Sequence, residues 1–228
     1  MRQKPTQEEE LKNAAIFLCL ADRLSQDGVI GDRLKIQKCT FLVALDWFQN
    51  KLKGFNLTFF RYTWGPFSKH IYDIVHMLEN AGLVESEIPN DSETGGVLRL
   101  TDAGRSFAAE FGAEVWANPD NRVFEQTIVN VGDKFRSLGT PAVINYVYDL
   151  EVTPIDGKKK RIKDMEDGLD ITRVLDSKEA AQEIAIPQGW LETLAIMVSP
   201  ENVRGIEKAK EDLASGKVKS HAEVWASV

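Results

Sequence analysis

Residues 59–82 (FFRYTWGPFSKHIYDIVHMLENAG) join an aromatic run to an amphipathic helix through a glycine–proline turn. The aromatic run is typical of a β-strand. Gly65 gives the backbone freedom that a tight turn needs, Pro66 suits the first position of a helix, and Gly82 suits its end. The apolar face of the predicted helix consists of Phe67, Ile71, Ile74, Val75 and Leu78. The stretch therefore predicts a strand, a turn and a helix that begins at Pro66.

The segments on either side extend this pattern to a recognisable order of elements. Apolar spacing predicts a buried helix over residues 8–25 and a second helix that begins after an N-cap at Asp32. A β-hairpin with strands near residues 83–84 and 97–100 follows, and Thr101 caps a further helix. The order helix, helix, short strand, helix, hairpin, helix is typical of a winged helix-turn-helix. A helical domain with an incidental hairpin is the alternative.

We therefore predict an α+β protein, mainly α, with three parts. Residues 1–113 form a winged-helix-like domain, residues 114–198 a mainly helical region, and residues 199–228 a helical tail. The tail opens on Ser199-Pro200, an N-cap followed by a proline at the first helical position. The basic run of residues 158–163 either contacts phosphates or an acidic partner, or is a solvated loop; its neighbouring acids favour the loop.

Composition restricts the classes of function. The formal net charge is −7, which argues against bulk, non-specific affinity for nucleic acid. Cys19 and Cys39 lie in apolar helical segments without metal-ligand spacing, which predicts buried free thiols in a reducing compartment. No apolar run approaches the roughly 20 residues that cross a bilayer, and no secretory signal core follows the N-terminus. We expect a cytoplasmic protein.

No pattern in the chain indicates catalysis. The sequence has no phosphate-binding glycine loop and no nucleophile motif of the G-x-S-x-G type. His70 and His76 stand six residues apart on one helix, on different faces, and therefore do not form a shared metal site. We expect no metal, no cofactor and no enzymatic activity.

Two kinds of partner remain, nucleic acid and protein. The helix after Pro66 exposes one lysine against two acids, whereas a DNA-reading helix presents basic and amide side chains. The candidate DNA contacts are Arg61, Lys69, Arg99 and Arg105. Lys69, Tyr72 and His76 instead form a candidate surface for a protein partner, which the poor basicity of the helix favours.

The same part of the chain resembles a known family. Residues 35–42 (KIQKCTFL) and residues 60–68 (FRYTWGPFS), followed by Tyr72, resemble the K-L-Q-K helix and the W-x-x-G-P turn of the Panacea (SocA-like, phage-associated) antitoxin domain. Two details depart from the family pattern: Trp64 directly precedes Gly65, and isoleucine replaces the usual leucine at position 36. The resemblance covers about residues 10–110.

The tail carries a second, separate resemblance. Residues 205–226 (GIEKAKEDLASGKVKSHAEVWA) are similar to the closing segment of RelB/Phd-type antitoxins, which lies on the side that faces the toxin. On this basis Ile206, Leu213 and Trp225 join the candidate partner-binding residues.

Together the two resemblances imply an antitoxin-like protein that neutralises a partner toxin by direct binding and in some cases represses its own promoter. The alternatives are a winged-helix transcriptional regulator without a toxin, and a phage-associated interaction or scaffold protein. Because fold alone does not fix function, these alternatives stay open at the level of sequence.

Overall fold

A computed structural model describes residues 5–87, 96–155 and 157–215, which form an α+β structure with short strands between the helices. The α-helices are α1 (Gln7–Leu24), α2 (Arg33–Gln49), α3 (His70–Asn80), α4 (Asp102–Val115), α5 (Arg122–Phe135), α6 (Thr140–Asp149), α7 (Gln188–Met197) and α8 (Pro200–Ala214). The strands are β1 (Val29–Asp32), β2 (Leu52–Lys53), β3 (Phe59–Tyr62), β4 (Gly65–Phe67), β5 (Val84–Glu87), β6 (Val97–Leu100), β7 (Glu151–Val152), β8 (Lys160–Arg161), β9 (Asp170–Thr172) and β10 (Gln182–Glu183).

Helix α1 is the centre of the core. Thr6 and Glu9 form a capping box at its start, in which each side chain accepts a hydrogen bond from the other residue's backbone N–H. Its middle is apolar on all sides, so α4, α5 and α7 all pack against it. The buried helix predicted over residues 8–25 is therefore confirmed, within one residue at each end.

A three-stranded antiparallel sheet follows the order β1-β6-β5. The turn into β5 is made by Gly82, whose φ of 67° is the left-handed conformation that ends a helix. Thr101 caps α4 by accepting a hydrogen bond from Gly104 N at 3.0 Å, and Asp32 caps α2 in the same way through Lys35 N at 2.8 Å. These three local predictions are confirmed.

Elements from the two sides of residue 113 share sheets and core. Strand β3 pairs with β4 on one edge and with β9 on the other, and β2 pairs in parallel with β10. Helix α2 packs against α5 and α6, and one continuous cluster of buried apolar side chains reaches from Leu11 to Leu194. The later part of the chain thus completes layers that the earlier part begins.

Two details differ from the sequence-based prediction. Pro66 lies in strand β4 rather than at the start of a helix, and α3 begins only at His70. Between α6 and α7 the chain forms the short strands β7 to β10, a 3₁₀ turn at Ile162–Asp164 and irregular loops, rather than a further α-helix. This segment contains five aspartates, with Pro154-x-x-Gly157 and Asp167-Gly168 among its residues, and these residue types favour turns over helix.

The tail begins as expected. Ser199 caps α8 through Asn202 N at 3.4 Å. Leu213 is 69% exposed, and Ile206 lies within α8. Trp225 and the capping-box pattern at residues 220–223 lie outside the described residues. Within residues 5–87, 96–155 and 157–215, no helix has the length and apolarity needed to cross a membrane.

Candidate functional site

The segments of residues 35–42 and 60–68 contact each other directly. The side-chain amide of Gln37, on α2, donates to Ser68 O at 2.8 Å and accepts from Ser68 N at 3.2 Å. Both residues are buried. A buried residue whose backbone N–H and C=O are both bonded to one side-chain amide is fixed in position. Gln37 therefore fixes the end of the glycine–proline segment on α2.

Lys38 makes a second contact with the same segment. Its side chain is 2% exposed, and Nζ donates to Pro66 O at 2.8 Å. Burial first, and then the nearby positive charge of Arg61, lowers the pKa of this lysine to about 8. Pro66 is held in β4 by this hydrogen bond and by pairing with β3, which explains why the helix does not begin there.

The turn between β3 and β4 is fixed from its other side by α6. Gly65 has φ 89°, and a Cβ at this position would lie 3.0 Å from Tyr148 Cε1. The Tyr148 hydroxyl donates to Thr63 O at 3.1 Å. Gly65 is thus required both by backbone conformation and by the close approach of the Tyr148 ring.

Arg61 points inward from this hairpin. Its Nε donates to Ile162 O at 3.1 Å, Nη1 lies 3.4 Å from Asp167 Oδ1, and the guanidinium lies over the Tyr148 ring at 5.5 Å. These contacts join β3 to the segment that follows β8. In this conformation the guanidinium supports the fold of the hairpin.

The outer face of the hairpin carries a row of aromatic side chains. Ring centroids of Tyr62 and Phe67 are 5.3 Å apart, those of Phe67 and Tyr72 are 5.7 Å apart, and the guanidinium of Arg33 lies 5.8 Å from the centre of the Tyr72 ring. Trp64 occupies the turn. We call the contacting rings of Tyr62, Phe67 and Tyr72, together with the turn residue Trp64, the aromatic face. Tyr62 is 49% and Trp64 61% exposed, so this face presents large apolar area to solvent.

The residues predicted to bind a protein lie partly on this face. Tyr72 belongs to it, and the exposed Lys69 immediately precedes α3. His76 is exposed one turn beyond Tyr72, with its Nε2 3.3 Å from Asn80 Nδ2. Sequence reasoning missed Tyr62, Trp64 and Arg33 as members of this surface. The alternation of β3, which puts Phe60 and Tyr62 on one face and Arg61 on the other, is the signal that would have found Tyr62.

The four predicted nucleic-acid contacts do not form one group. Lys69 is exposed at the start of α3, and Arg61 points inward. Arg99 Nε lies 3.0 Å from Glu87 Oε1, and Arg105 donates to Leu100 O at 3.0 Å and pairs with Asp102.

Arg99 and Arg105 share a cleft of about 390 Å³. The same cleft is lined by the carboxylates of Asp27, Glu85 and Asp102. Three acids against two arginines do not make a basic surface, which phosphate binding requires.

Two lysines of the basic run of residues 158–163 form ion pairs with acids, but these acids are not the ones that flank the run in sequence. Lys159 pairs with Glu151 at 3.2 Å, and Lys163 pairs with Asp149 at 2.7 Å. Asp149 is the last residue of α6, and Glu151 lies in β7, the antiparallel neighbour of β8.

The two cysteines, Cys19 and Cys39, are buried free thiols, as predicted.

No protein-family model matches the chain. No curated protein matches it at a significant level of similarity.

Proposed function

We propose that this protein is antitoxin-like and neutralises a partner toxin by direct protein–protein binding through the aromatic face. The observation that carries the proposal is the exposure of Trp64 and Tyr62 on a hairpin held from beneath by buried polar contacts of Gln37 and Lys38. The resemblance of these same segments to the Panacea antitoxin domain supports the choice of partner.

The physical chemistry of the face suits a protein interface. Tyrosine and tryptophan are enriched among the residues that dominate binding energy, because they bury a large area and lose little conformational freedom. A rigid support lowers the entropy lost on binding. Arg33 lies over the Tyr72 ring, 3.9 Å from Glu79 Oε1, and the exposed Lys69 immediately precedes α3. We therefore expect the complementary surface of the toxin to be mainly apolar, with an acidic group near Lys69.

We also propose that the earlier part of the chain is a winged-helix-like scaffold. The order α1, β1, α2, α3, β5, β6, with β1 paired to β6, supports this assignment. The hairpin of β3 and β4 is then an insertion between the second and third helices. In this scheme the scaffold presents the inserted hairpin, which carries most of the aromatic face.

The test is co-expression with the product of the neighbouring gene. We expect the full-length chain to rescue growth from a toxic neighbour and to bind it in a pull-down, and Trp64→Ala to lower affinity at least about tenfold, as loss of a binding hot spot does. Ile196→Ala, a 45% exposed apolar residue on α7, is the matched control and is expected to bind normally.

Thermal unfolding of each variant separates loss of binding from loss of fold. A Trp64→Ala variant that rescues growth and binds as the unchanged chain does would refute the role of the aromatic face. The absence of any toxic neighbour and of any rescue would refute the antitoxin proposal as a whole. Deletion of residues 199–228 tests the tail, and with it Ile206, Leu213 and Trp225, for the same loss.

A second candidate is a DNA-binding transcriptional regulator, which the winged-helix-like order of elements favours. It predicts binding to the upstream region of its own gene, weaker at higher salt and weakened by Lys69→Ala and Arg99→Ala. Absent or salt-insensitive binding would count against it. The exposed acid Asp73 and the acids around Arg99 and Arg105 place this candidate second. A scaffold or phage-associated interaction protein predicts neither result.

A further inference from the structure

A cavity of about 400 Å³ lies where α1, α4 and α5 meet, and it shares no residue with the aromatic face. It exists because α4 turns a run of alanines and Gly112 toward α1 and α5, where larger side chains would fill the space. Its volume falls within the range of small-molecule binding sites, about 300–1,000 Å³. The wall includes the indole of Trp116 and the apolar side chains Ile128 and Val129.

Two carboxylates from different helices line this cavity, Asp22 on α1 and Glu125 on α5. Over residues 5–87, 96–155 and 157–215, neither carboxylate forms a hydrogen bond or an ion pair with another side chain. The positively charged side chain of Arg23 also lines the cavity, and within the described residues it forms no ion pair with Asp22 or Glu125. Two acidic groups therefore face the same space with their charge uncompensated by direct contact.

The thiol of Cys19 lines the same cavity, within electrostatic reach of both carboxylates. It is 5% exposed, lines the cavity and has no hydrogen-bond partner in the described part of the chain. Its pKa is raised by burial first, and then by the negative charges of Asp22 and Glu125. Burial also raises the pKa of Asp22, against the smaller opposite effect of the positive charges of Arg23 and Arg105. The effect on Cys19 indicates that the charges of Asp22 and Glu125 both reach the cavity wall at this thiol.

We propose that this cavity binds a small organic cation, an alkylammonium group carried on an apolar stem. The ammonium group would lie between Asp22 and Glu125, and the stem would pack on Trp116, Ile128 and Val129. Aromatic rings and carboxylates are the groups that bind ammonium ions in proteins. A metal ion fits less well, because no group of three or more His, Cys, Asp or Glu side chains in the described residues has the geometry to hold one.

The experiment uses the full-length protein and two probes, n-pentylamine and its neutral analogue n-pentanol. We expect the amine at roughly millimolar concentration to raise the unfolding temperature and to give a calorimetric binding signal, and the alcohol to give neither. Cadaverine, which carries a second ammonium group, shows whether the cavity prefers a monoamine or a diamine; either preference supports the site.

Three variants of cavity residues and one control variant test whether the amine binds in this cavity. Asp22→Asn and Glu125→Gln are each expected to weaken amine binding about tenfold, a loss of one charged hydrogen-bonding partner. The matched control is Glu110→Gln, an exposed acid on α4 outside the cavity, which is expected to bind the amine normally. Ala113→Leu, which places a larger side chain in the cavity wall, is expected to block binding.

The unfolding temperature without ligand shows whether Asp22 acts on the amine or only on the fold. Asp22→Asn removes a carboxylate whose charged form is disfavoured by burial, so without ligand it is expected to unfold at the same or a higher temperature. The proposal would be overturned if the unchanged protein did not bind the amine. It would also be overturned if Asp22→Asn and Glu125→Gln bound the amine as well as the control Glu110→Gln does. Neither result would bear on binding of a toxin through the aromatic face.

Discussion

Lys38 shows how one buried residue shapes the candidate site. A lysine rarely loses water unless something replaces its hydration, and here the carbonyl of Pro66 is the hydrogen-bond acceptor that does so. The nearby charge of Arg61 is repulsive, which adds to the cost. The hydrogen bond nevertheless fixes β4 against α2. Burial of Lys38 thus lowers the stability of the protein but gives the hairpin a defined position.

This trade predicts a dependence of stability on pH. The pKa of Lys38 is about 8 in the folded protein and close to 10.5 when unfolded, so the folded state binds fewer protons between these values. The free energy of unfolding should therefore rise as pH increases from about 8 to about 10, by up to ~3 kcal/mol from this group.

Denaturant unfolding over this pH range checks the prediction. Lys38→Met should remove this part of the rise, whereas Lys69→Met, at an exposed position, should keep it. Parallel pH curves for the unchanged chain and for Lys38→Met would contradict it.

At the scale of elements, the hairpin of β3 and β4 depends on one glycine. Gly65→Ala would force a left-handed φ on alanine and bring its Cβ to 3.0 Å from the Tyr148 ring. We expect a loss of about 2–3 kcal/mol in the free energy of unfolding, the sum of backbone strain and a shifted ring.

Denaturant unfolding of variants at two other glycines separates the backbone strain from the crowding by Tyr148. Gly82 also has positive φ, but no atom lies within 4 Å of its Cβ position, so Gly82→Ala should cost only the strain, about 1 kcal/mol. Gly189, in α7, has neither constraint, and Gly189→Ala should be neutral or stabilising. Equal losses at positions 65 and 189 would show that the hairpin does not need glycine.

Element ends could be predicted from sequence where their cause is local. The caps Thr6, Asp32, Thr101 and Ser199 each bond a backbone N–H three residues away, so a short window of sequence contains the whole cause. The start of α3 could not be predicted in this way. Pro66 suits a helix start equally well, and its place in β4 depends on Lys38 and β3, which lie outside that window.

At the scale of the whole molecule, the core does not divide at residue 113. Helix α1 packs against α5 and α7, and β3 pairs with β9. A fragment of residues 1–113 would expose the sides of α1 and α2 that these later elements cover. We expect this fragment to lack a cooperative thermal transition, because it loses a large share of the buried apolar area.

Circular dichroism of the fragment and of residues 1–198 tests this expectation. The longer chain keeps the elements of the core and is expected to unfold cooperatively, near the temperature of the full-length protein. A cooperative transition in residues 1–113 alone would instead support an independent winged-helix-like domain, the division that the sequence suggests.

The sequence by itself determined the α+β class, the buried α1, the local caps, the hairpin of β5 and β6, and the two buried thiols. These depend on periodicity and on contacts over a few residues, which a linear pattern records. Tertiary structure alone decided that the K-x-Q-K and G-P-F-S segments meet, that Arg61 turns inward, and that the ring of Phe67 contacts both Tyr62 and Tyr72. It also decided that Asp22 and Glu125 share a cavity. Each of these depends on packing between residues 27 or more positions apart, or on which side of a strand or helix faces the core, and sequence spacing does not encode that distance.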